Sequence, residues 1–339
     1  MKLSGYTYVK NAIEMNYPFE ASIRSLIDCC DEVVVIDAST KNDGTSEALR
    51  KLVKEFSETK LIVFEYNEID WTAPNHGIWD GKLKAIARNQ CTGDFLLQLD
   101  SDEIIEENAR PKIENLIGQL KNMEQISLVA IPIVEYWGSA GKVRIDVNPW
   151  KWRISKNDPN ITHGIPSPLR KIEPNGLLYS MPGSDGCDYI YETSGEVVPC
   201  ANFINNDVET VRRAAILDSG AKTIYEQWFN IVVNELPTIY HFSWWSVREK
   251  INKYEKYWNA HWLSLYNEKK PEGWNPFFLE RKISEVSEED KLELARKLEL
   301  ETSGHIFHTA WDGTKTNSVT ITKPYPKLVE EWCRENKTK

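Results

Sequence analysis

The sequence has no long apolar run, few cysteines and no excess of positive charge. Its longest apolar run lies near Leu128–Val134, far short of the roughly 20 residues that a membrane-spanning helix needs, and its first residues show no signal-peptide core. We therefore expect neither a membrane span nor secretion. The 339 residues include 41 Lys and Arg against 51 Asp and Glu, a formal charge of −10. This charge disfavours nucleic acid and anionic membranes as partners.

Six cysteines are present, and none forms a C-x-x-C pair, which disfavours a zinc ribbon and a thioredoxin-like motif. The simplest interpretation is a reduced, cytoplasmic protein with incidental thiols. Aromatic residues are abundant instead, with 13 Trp and 14 Tyr. Core or interface packing explains most residues of this kind, and stacking against sugars is the alternative for some of them.

Strands and helices alternate over the first 135 residues. The predicted strands are Ser4–Val9, Glu32–Asp37, Leu61–Glu65, Phe95–Leu99 and Leu128–Tyr136, and the predicted helices are Phe19–Ile27, Thr45–Phe56, Lys82–Gln90 and Arg110–Met123. The β-branched run Val33–Ile36 is typical of a strand buried on both faces. Strands joined by helical crossovers form a mostly parallel sheet with helices on both faces. Such a sheet binds ligands at the carboxyl ends of its strands.

The rest of the chain is less regular. Between Tyr136 and Cys200 the periodicity weakens and Gly, Pro and Asn accumulate, which indicates a long, loop-rich segment with a functional role. Helical patterns return from about Val208 and include Glu288–Leu300 and a short helix near Leu328–Cys333. A stripe of aromatic residues and one histidine at helical spacing comprises Tyr254, Tyr257, Trp258, His261 and Trp262. This stripe indicates core packing or the face of a homodimer.

Two aspartates follow the predicted strand Phe95–Leu99, in the stretch Asp100-Ser101-Asp102. Residues two apart in extended chain point to the same side, so both carboxylates can serve one site. Carboxylates at the end of a strand can hold Mg²⁺ or Mn²⁺ together with substrate phosphates. The alternative for an isolated D-x-D is a solvated acidic turn.

Asp37, which ends the second strand, can bind a base or ribose, or act as an ordinary turn or cap residue.

The stretch Gly77–Lys82 has a superficial likeness to a P-loop. Its glycine spacing is one residue short and Leu83 replaces the Ser or Thr, so a Walker motif is excluded. Lys82 and Arg88 on the following helix could instead neutralise a phosphate, and the alternative for both is a solvent-facing charge.

These motifs resemble those of the family 2 glycosyltransferases with the GT-A fold. The resemblance covers roughly residues 3–105 and rests on Val33–Asp37 with Asp43-Gly44-Thr45, on Ala87-Arg88-Asn89, and on Leu99–Glu103. It implies an α/β, GT-A-like, Rossmann-type, mostly parallel sheet with flanking helices, and the later pattern adds a helical, aromatic-rich C-terminal region. The predicted domains are a GT-A-like glycosyltransferase domain over 1–240, with a nucleotide-binding half (1–135) and an acceptor half (136–240), and a helical extension over 241–339.

The resemblance also implies roles for individual residues. Asp37 would hold the nucleotide base and Arg88 would lie near the diphosphate. The implied nucleotide-sugar contacts are Tyr8, Val9, Asp37, Lys82, Arg88, Asp100 and Ser101, and the implied ligands of Mn²⁺ or Mg²⁺ are Asp100, Asp102 and His241. A buried histidine bonded to backbone is the alternative for His241.

Transfer to a hydroxyl with inversion needs a carboxylate base near the attacking oxygen. Asp185, in the glycine-rich stretch Gly183–Asp188, is the candidate for this base. A surface turn is the alternative interpretation of this stretch.

The sequence therefore predicts a cytoplasmic, metal-dependent, inverting glycosyltransferase. Its donor is a nucleotide-diphosphate sugar, by preference a UDP-sugar, and its acceptor is a glycan or another hydroxyl compound. No Q-x-x-R-W motif occurs, which disfavours a processive polysaccharide synthase. Two alternatives stay open. One is a sugar-1-phosphate nucleotidyltransferase, which Lys10–Glu14 disfavours because it lacks glycine; the other is a non-catalytic carbohydrate-binding protein that uses the Trp-rich half.

Overall fold

The chain forms two compact units in a computed structural model. The first unit is Met1–Ala130 with Trp152–Ala201, and the second is Ile131–Lys151 with Asn202–Lys339. The residues that the structure describes are 1–57, 59–66, 78–138, 141–144, 150–164, 171–172, 178–179, 189–201, 219–253, 287–303, 315–317 and 320–336.

The secondary-structure elements are numbered in chain order over these residues. The strands are β1 (Leu3–Val9), β2 (Glu32–Asp37), β3 (Leu61–Glu65), β4 (Phe95–Gln98), β5 (Glu103–Ile105), β6 (Leu128–Trp137), β7 (Lys142–Arg144), β8 (Trp150–Lys156), β9 (Ile161–His163), β10 (Lys171–Ile172), β11 (Leu178–Tyr179), β12 (Tyr189–Tyr191), β13 (Cys200–Ala201), β14 (Ile239–Trp244), β15 (Glu301–Ser303), β16 (Lys315–Asn317) and β17 (Thr320–Thr322). The helices are α1 (Phe19–Cys29), α2 (Thr45–Glu55), α3 (Ile78–Asn89), α4 (Arg110–Lys121), α5 (Ser219–Glu235), α6 (Val247–Lys253), α7 (Glu288–Leu300) and α8 (Glu330–Asn336), with a 3₁₀ helix at Lys327–Val329.

The sheet of the first unit is mostly parallel. Strand β1 pairs in parallel with β2 on one side and with β4 on the other. Strand β3 pairs in parallel with β2, and β8 pairs antiparallel with β4. The side chains of Val33, Val34, Val35 and Ile36 in β2 are all buried, as their apolar run predicts. The α/β fold class predicted from the sequence is therefore confirmed.

Helices cover both faces of this sheet. Tyr6 of β1 packs in one cluster with Leu83 and Ala87 of α3. The preceding residue, Gly5, lies against α1, and a Cβ there would come within 3.1 Å of Leu26 Cδ2. Neighbouring residues of a strand point to opposite faces, so α1 and α3 lie on opposite faces of the sheet.

The second unit has its own strands and an aromatic core. In this unit β6 pairs antiparallel with β7 and in parallel with β14, and β17 pairs antiparallel with β7. Tyr136 stacks on Phe242 with ring centres 4.8 Å apart, and Trp137 stacks on Trp244 at the same distance. These aromatic residues are buried, so packing accounts for them, as expected for most of the aromatic residues.

The segment between Tyr136 and Cys200 is less irregular than the sequence indicates. Its described part contains β7 to β12, and β8 places Ile154 opposite Leu97 of β4. Trp152–Ala201 consequently belongs to the first unit. The domain boundaries at 135 and 240 stay predictions. In the part of the chain that the structure describes, no helix is both long enough and apolar enough to cross a membrane.

Candidate functional site

The strand order of the first unit reverses at β1. The chain continues from β1 to β2 and β3 on one side, and then crosses to β4 on the other. In open α/β sheets, ligands bind at the carboxyl ends of the strands where the order reverses. Asp37 ends β2, Tyr8 and Val9 end β1, and Asp100 and Asp102 follow β4. The structure therefore brings these predicted site residues to one edge of the sheet.

Asn11 ties the loops after β1 and β2 together. Its Oδ1 accepts hydrogen bonds from the N–H groups of Thr40 (3.0 Å) and Lys41 (3.2 Å), and its own N–H donates to Ser39 Oγ (3.1 Å). Asn11 has a φ of 41°, a left-handed conformation that asparagine tolerates. The N–H of Ser39 donates to Asp37 Oδ1 at 3.0 Å. Asp37 is thus held in a turn at this edge.

The turn that carries the D-x-D aspartates is closed by short contacts. The N–H of Glu103 donates to the carbonyl of Asp100 (3.0 Å), and the N–H of Asp100 donates to Glu103 Oε2 (3.0 Å). Ser22 Oγ donates to the same Asp100 carbonyl at 3.2 Å. The Asp100 side chain is 27% exposed, whereas Asp102 is buried. Ser101 between them is half-buried.

Two cations contact the carboxylate of Asp100. Lys84 Nζ lies 2.8 Å from Asp100 Oδ1, and Arg153 Nη2 lies 2.8 Å from Asp100 Oδ2. Sequence reasoning missed both residues. The signal for Arg153 is the apolar–polar alternation of Trp150–Lys156, which is typical of a strand. The signal for Lys84 is its spacing of four residues from Arg88, which puts both on one face of α3.

Tyr8 and Lys10 place two further ionisable groups at the end of β1. The Tyr8 hydroxyl donates to Asp80 Oδ1 at 2.5 Å. Burial, followed by the nearby charge of Asp80, raises the pKa of Tyr8 well above its ordinary value, so this hydroxyl keeps its proton. Burial lowers the pKa of Lys10 to about 7, although the charge of Asp80 opposes this shift. Lys10 therefore changes charge near neutral pH.

Arg88 is turned into the fold rather than toward the sheet edge. It is 1% exposed, and its guanidinium donates to the Ile161 carbonyl (2.9 Å), Ser155 Oγ (2.7 Å) and the Lys156 carbonyl (2.8 Å). These contacts fasten α3 to β8 and β9. Most of the guanidinium donors are used within the protein, which disfavours the contact with a diphosphate that the resemblance implies.

Val9 and Lys82 differ in what they offer a ligand. Val9 is fully buried, and its carbonyl accepts the N–H of Ala38 at 2.8 Å, so its role is to form the strand. Lys82 is exposed near the start of α3, and its Nζ lies 4.3 Å from the centre of the Trp79 ring. Its charge is accessible to a ligand, and its contact with a nucleotide sugar stays a prediction.

His241 is paired with a carboxylate in the second unit. It lies opposite Glu135 in the β14–β6 pairing, and its Nδ1 is 2.6 Å from Glu135 Oε2. A carboxylate partner of this kind fixes the orientation of an imidazole ring. Its role as a metal ligand stays a prediction. Asp185 and the stripe from Tyr254 to Trp262 lie outside the described residues.

The donor set of the D-x-D turn suits a hard divalent cation that the substrate helps to hold. Asp100 and Asp102 offer carboxylate oxygens, which Mg²⁺ and Mn²⁺ prefer. Within the described ranges, no three side chains of His, Cys, Asp or Glu come together as a closed metal site. An ion at this turn would therefore take its other ligands from phosphate oxygens and water.

No protein-family model matches the chain. A curated protein of Mycoplasma pneumoniae, named as an uncharacterized glycosyltransferase and homolog of MG060, is 24% identical over 155 residues. The match covers 45% of this chain and 47% of that protein, so the chain spans about half the length of this curated relative. The relative agrees with the resemblance drawn from the sequence motifs.

Solved structures give more distant likenesses. S. aureus TarS 1–349 in complex with UDP is 16% identical, with a TM-score of 0.35, over 96% of this chain and 99% of that chain. The mannosyltransferase PcManGT from Pyrobaculum calidifontis, in complex with GDP-Man and Mn²⁺, is 15% identical, with a TM-score of 0.33, over 69% and 68%. Likenesses with TM-scores this low carry no argument about the present chain.

Proposed function

We propose that the protein is a glycosyltransferase that moves a sugar from a nucleotide-diphosphate donor to a hydroxyl acceptor. One observation carries this proposal: the D-x-D aspartates Asp100 and Asp102 follow β4 at the point where the strand order reverses, beside the end of β1. This is where a sheet of this type binds its ligand. The curated relative supports the proposal over its matched residues.

The nucleotide would lie across the carboxyl ends of β2, β1 and β4. Asp37 would accept a hydrogen bond from an N–H of the base, and Asp100 would accept one from a ribose hydroxyl. Ionised carboxylates can only accept hydrogen bonds. Lys82 and Lys10 lie at the same edge and would balance the charge of the diphosphate. Tyr8, held by Asp80 at 2.5 Å, would pack beside the base. We choose UDP as the nucleotide to test first.

Transfer forms a bond between the acceptor oxygen and the anomeric carbon and breaks the bond from that carbon to the diphosphate. The acceptor proton must pass to a base, and Asp185 is our candidate on sequence grounds. A divalent ion held at Asp102 would stabilise the charge that develops on the leaving diphosphate. Inversion at the anomeric carbon and a glycan acceptor complete the proposal. All the cysteines that the structure describes are free thiols, which favours a cytoplasmic location.

A thermal-shift panel tests the proposal directly. The full chain is heated with UDP, GDP, dTDP or CMP, each with and without Mn²⁺. A nucleotide at 100 times its dissociation constant should add about 2.7 kcal/mol to the free energy of unfolding. A carbohydrate-binding protein without a donor site would shift with glycans and with none of the four nucleotides, and that result would refute the proposal.

A second assay distinguishes the proposed glycosyltransferase from the alternative, a sugar-1-phosphate nucleotidyltransferase. A sugar-1-phosphate nucleotidyltransferase releases pyrophosphate from a nucleoside triphosphate, whereas a glycosyltransferase releases a nucleoside diphosphate from its donor. Release of UDP from a UDP-sugar without pyrophosphate formation from UTP and a sugar 1-phosphate is the expected result.

A further inference from the structure

A series of ionic contacts leads from helix α3 to strand β8 through the D-x-D turn. Lys84 Nζ lies 3.1 Å from Asp80 Oδ2 and 2.8 Å from Asp100 Oδ1. Arg153 Nη2 lies 2.8 Å from Asp100 Oδ2 and 2.6 Å from Glu103 Oε1, while Arg153 Nε donates to Glu103 Oε2 at 2.9 Å. Each oxygen of Asp100 therefore contacts a different cation.

Burial distinguishes Asp100 from the groups that contact it. The side chains of Lys84 and Arg153 are 3% and 7% exposed, whereas the Asp100 side chain is 27% exposed. A buried cation is strongly destabilising unless it is paired. Lys84 and Arg153 therefore favour the position of the Asp100 carboxylate in which both contacts are made. Two buried cations thus fix the orientation of the partly exposed Asp100 carboxylate.

We propose that Lys84 and Arg153 are positioning residues that hold Asp100 as a hydrogen-bond acceptor for the ligand and leave the divalent ion to Asp102. A carboxylate that already contacts two cations is a weaker ligand for a third, because the positive charges repel one another. Its oxygens have further lone pairs and can still accept a hydrogen bond from a hydroxyl. The inference rests on the proposed function and refines it, since it assigns Lys84 and Arg153 the task of orienting Asp100.

The variant Lys84→Met tests the proposal, because it removes the charge and keeps most of the side-chain length. Mn²⁺ binding to the nucleotide-free protein is measured by electron paramagnetic resonance. We expect Lys84→Met to bind Mn²⁺ about tenfold more tightly than the wild type, because one repelling charge beside Asp100 is gone. Lys84→Arg keeps the charge and should restore the wild-type value.

Lys250→Met is the matched control. Lys250 is also buried, at 8% exposed, but it lies in the second unit, where it bonds Ser243 Oγ. Replacing Lys250 by Met should lower the melting temperature without changing the affinity for Mn²⁺. If Lys84→Met behaves like this control, with a lower melting temperature and unchanged Mn²⁺ affinity, Lys84 is merely structural and the inference is refuted.

Two measurements keep the test decisive. Lys84→Gln, which keeps a hydrogen-bond donor, is measured in parallel in case Lys84→Met does not fold, and the same gain in Mn²⁺ affinity is expected. The affinity for a UDP-sugar should fall in both variants, because Asp100 is no longer held in place. A wild-type protein that binds no nucleotide would refute the proposed function, yet the Mn²⁺ comparison would still decide the roles of Lys84 and Asp100.

Discussion

Glu32, the first residue of β2, accepts a 2.5 Å hydrogen bond from the backbone N–H of Thr92, 60 residues further along the chain. The same carboxylate accepts hydrogen bonds from Ser4 Oγ and from Lys2 Nζ, each at 2.5 Å. Glu32 therefore joins the amino ends of β1 and β2 to the segment that precedes β4. These are the three strands whose opposite ends form the candidate site.

The stability of the protein should depend on the ionisation of Glu32. Burial alone would raise the pKa of Glu32, but the hydrogen bonds from Lys2, Ser4 and Thr92 outweigh it and lower the pKa to about 2. Because the pKa is lower in the folded state, the stabilisation is complete above the unfolded-state pKa of about 4.3 and is lost as the pH falls toward 2.

Glu32→Gln tests this dependence. We expect it to lower the free energy of unfolding at pH 7 by about 3 kcal/mol, since each pKa unit corresponds to about 1.4 kcal/mol. Urea titrations at pH 7, 4 and 3 should show a smaller loss of stability on acidification for Glu32→Gln than for the wild type. Equal losses in the two proteins would contradict the prediction.

Gly93 should tolerate no side chain. A Cβ at this position would lie 2.5 Å from Ser4 Oγ and 2.8 Å from the Ser4 backbone nitrogen. We expect Gly93→Ala to cost about 2 kcal/mol, because the backbone must shift to relieve the contact. Gly118→Ala is the control, since a Cβ there has no neighbour within 4 Å and alanine stabilises a helix by about 0.8 kcal/mol. Thermal unfolding should move in opposite directions for the two variants.

The first 130 residues are predictable because their signals are local. The run Val33–Ile36 and the helical spacing of Thr45–Phe56 each lie within one element, and the structure places β2 and α2 within a residue of the predicted ends. Strand β5 (Glu103–Ile105) escapes prediction because three residues are too few to show a period. Helix α3 begins at Ile78 rather than at Lys82, a difference of one helical turn.

The candidate site is less predictable, because its contacts join distant parts of the chain. Arg153 reaches Asp100 only through the antiparallel pairing of β8 with β4, and no local pattern specifies which strands pair. Arg88 shows the converse difficulty. Its motif suggests a ligand contact, whereas its burial and its bonds to Ser155 and to backbone carbonyls depend on strands that follow 60 or more residues later.

Arg88→Lys should destabilise the fold and leave nucleotide binding intact. Lysine cannot reproduce the planar set of donors that contacts Ile161, Ser155 and Lys156, so we expect a loss of about 3 kcal/mol in urea unfolding. Arg50→Lys, at an exposed residue paired with Glu65, should change stability by less than about 0.5 kcal/mol. A specific loss of UDP affinity in folded Arg88→Lys would instead support a diphosphate contact.

Asp102→Asn should abolish sugar transfer without unfolding the protein. Neutralising this carboxylate removes the proposed metal ligand, and we expect kcat to fall by about 10³. Circular dichroism and the melting temperature report whether the fold is kept, and Glu124→Gln, at an exposed position, is the control for losing a negative charge. Normal turnover by Asp102→Asn would defeat the assignment of the metal site.

Affinity for a UDP-sugar should fall as the pH rises through the pKa of Lys10. Burial holds this pKa at about 7, so Lys10 carries its charge below pH 7 and loses it above. A UDP-sugar has no group that titrates in this range, so a change in affinity reports on the protein. Its dissociation constant, measured between pH 6 and 8.5, should increase with pH because Lys10 loses its charge. Lys10→Met should bind more weakly at pH 6 and show a flat profile. A sloping profile in Lys10→Met would assign the titration to another group.

Because β8 follows β4 in the chain, the acidic turn after β4 is synthesised before the strand that pairs with β4. Asp100, Asp102 and Glu103 leave the ribosome together, and the guanidinium of Arg153 follows 53 residues after Asp100. When β1 to β4 have been made, Lys84 is already present to pair with Asp100, whereas the buried Glu103 still lacks its guanidinium partner. The ion pairs of the acidic turn are therefore completed only by a strand that is synthesised later.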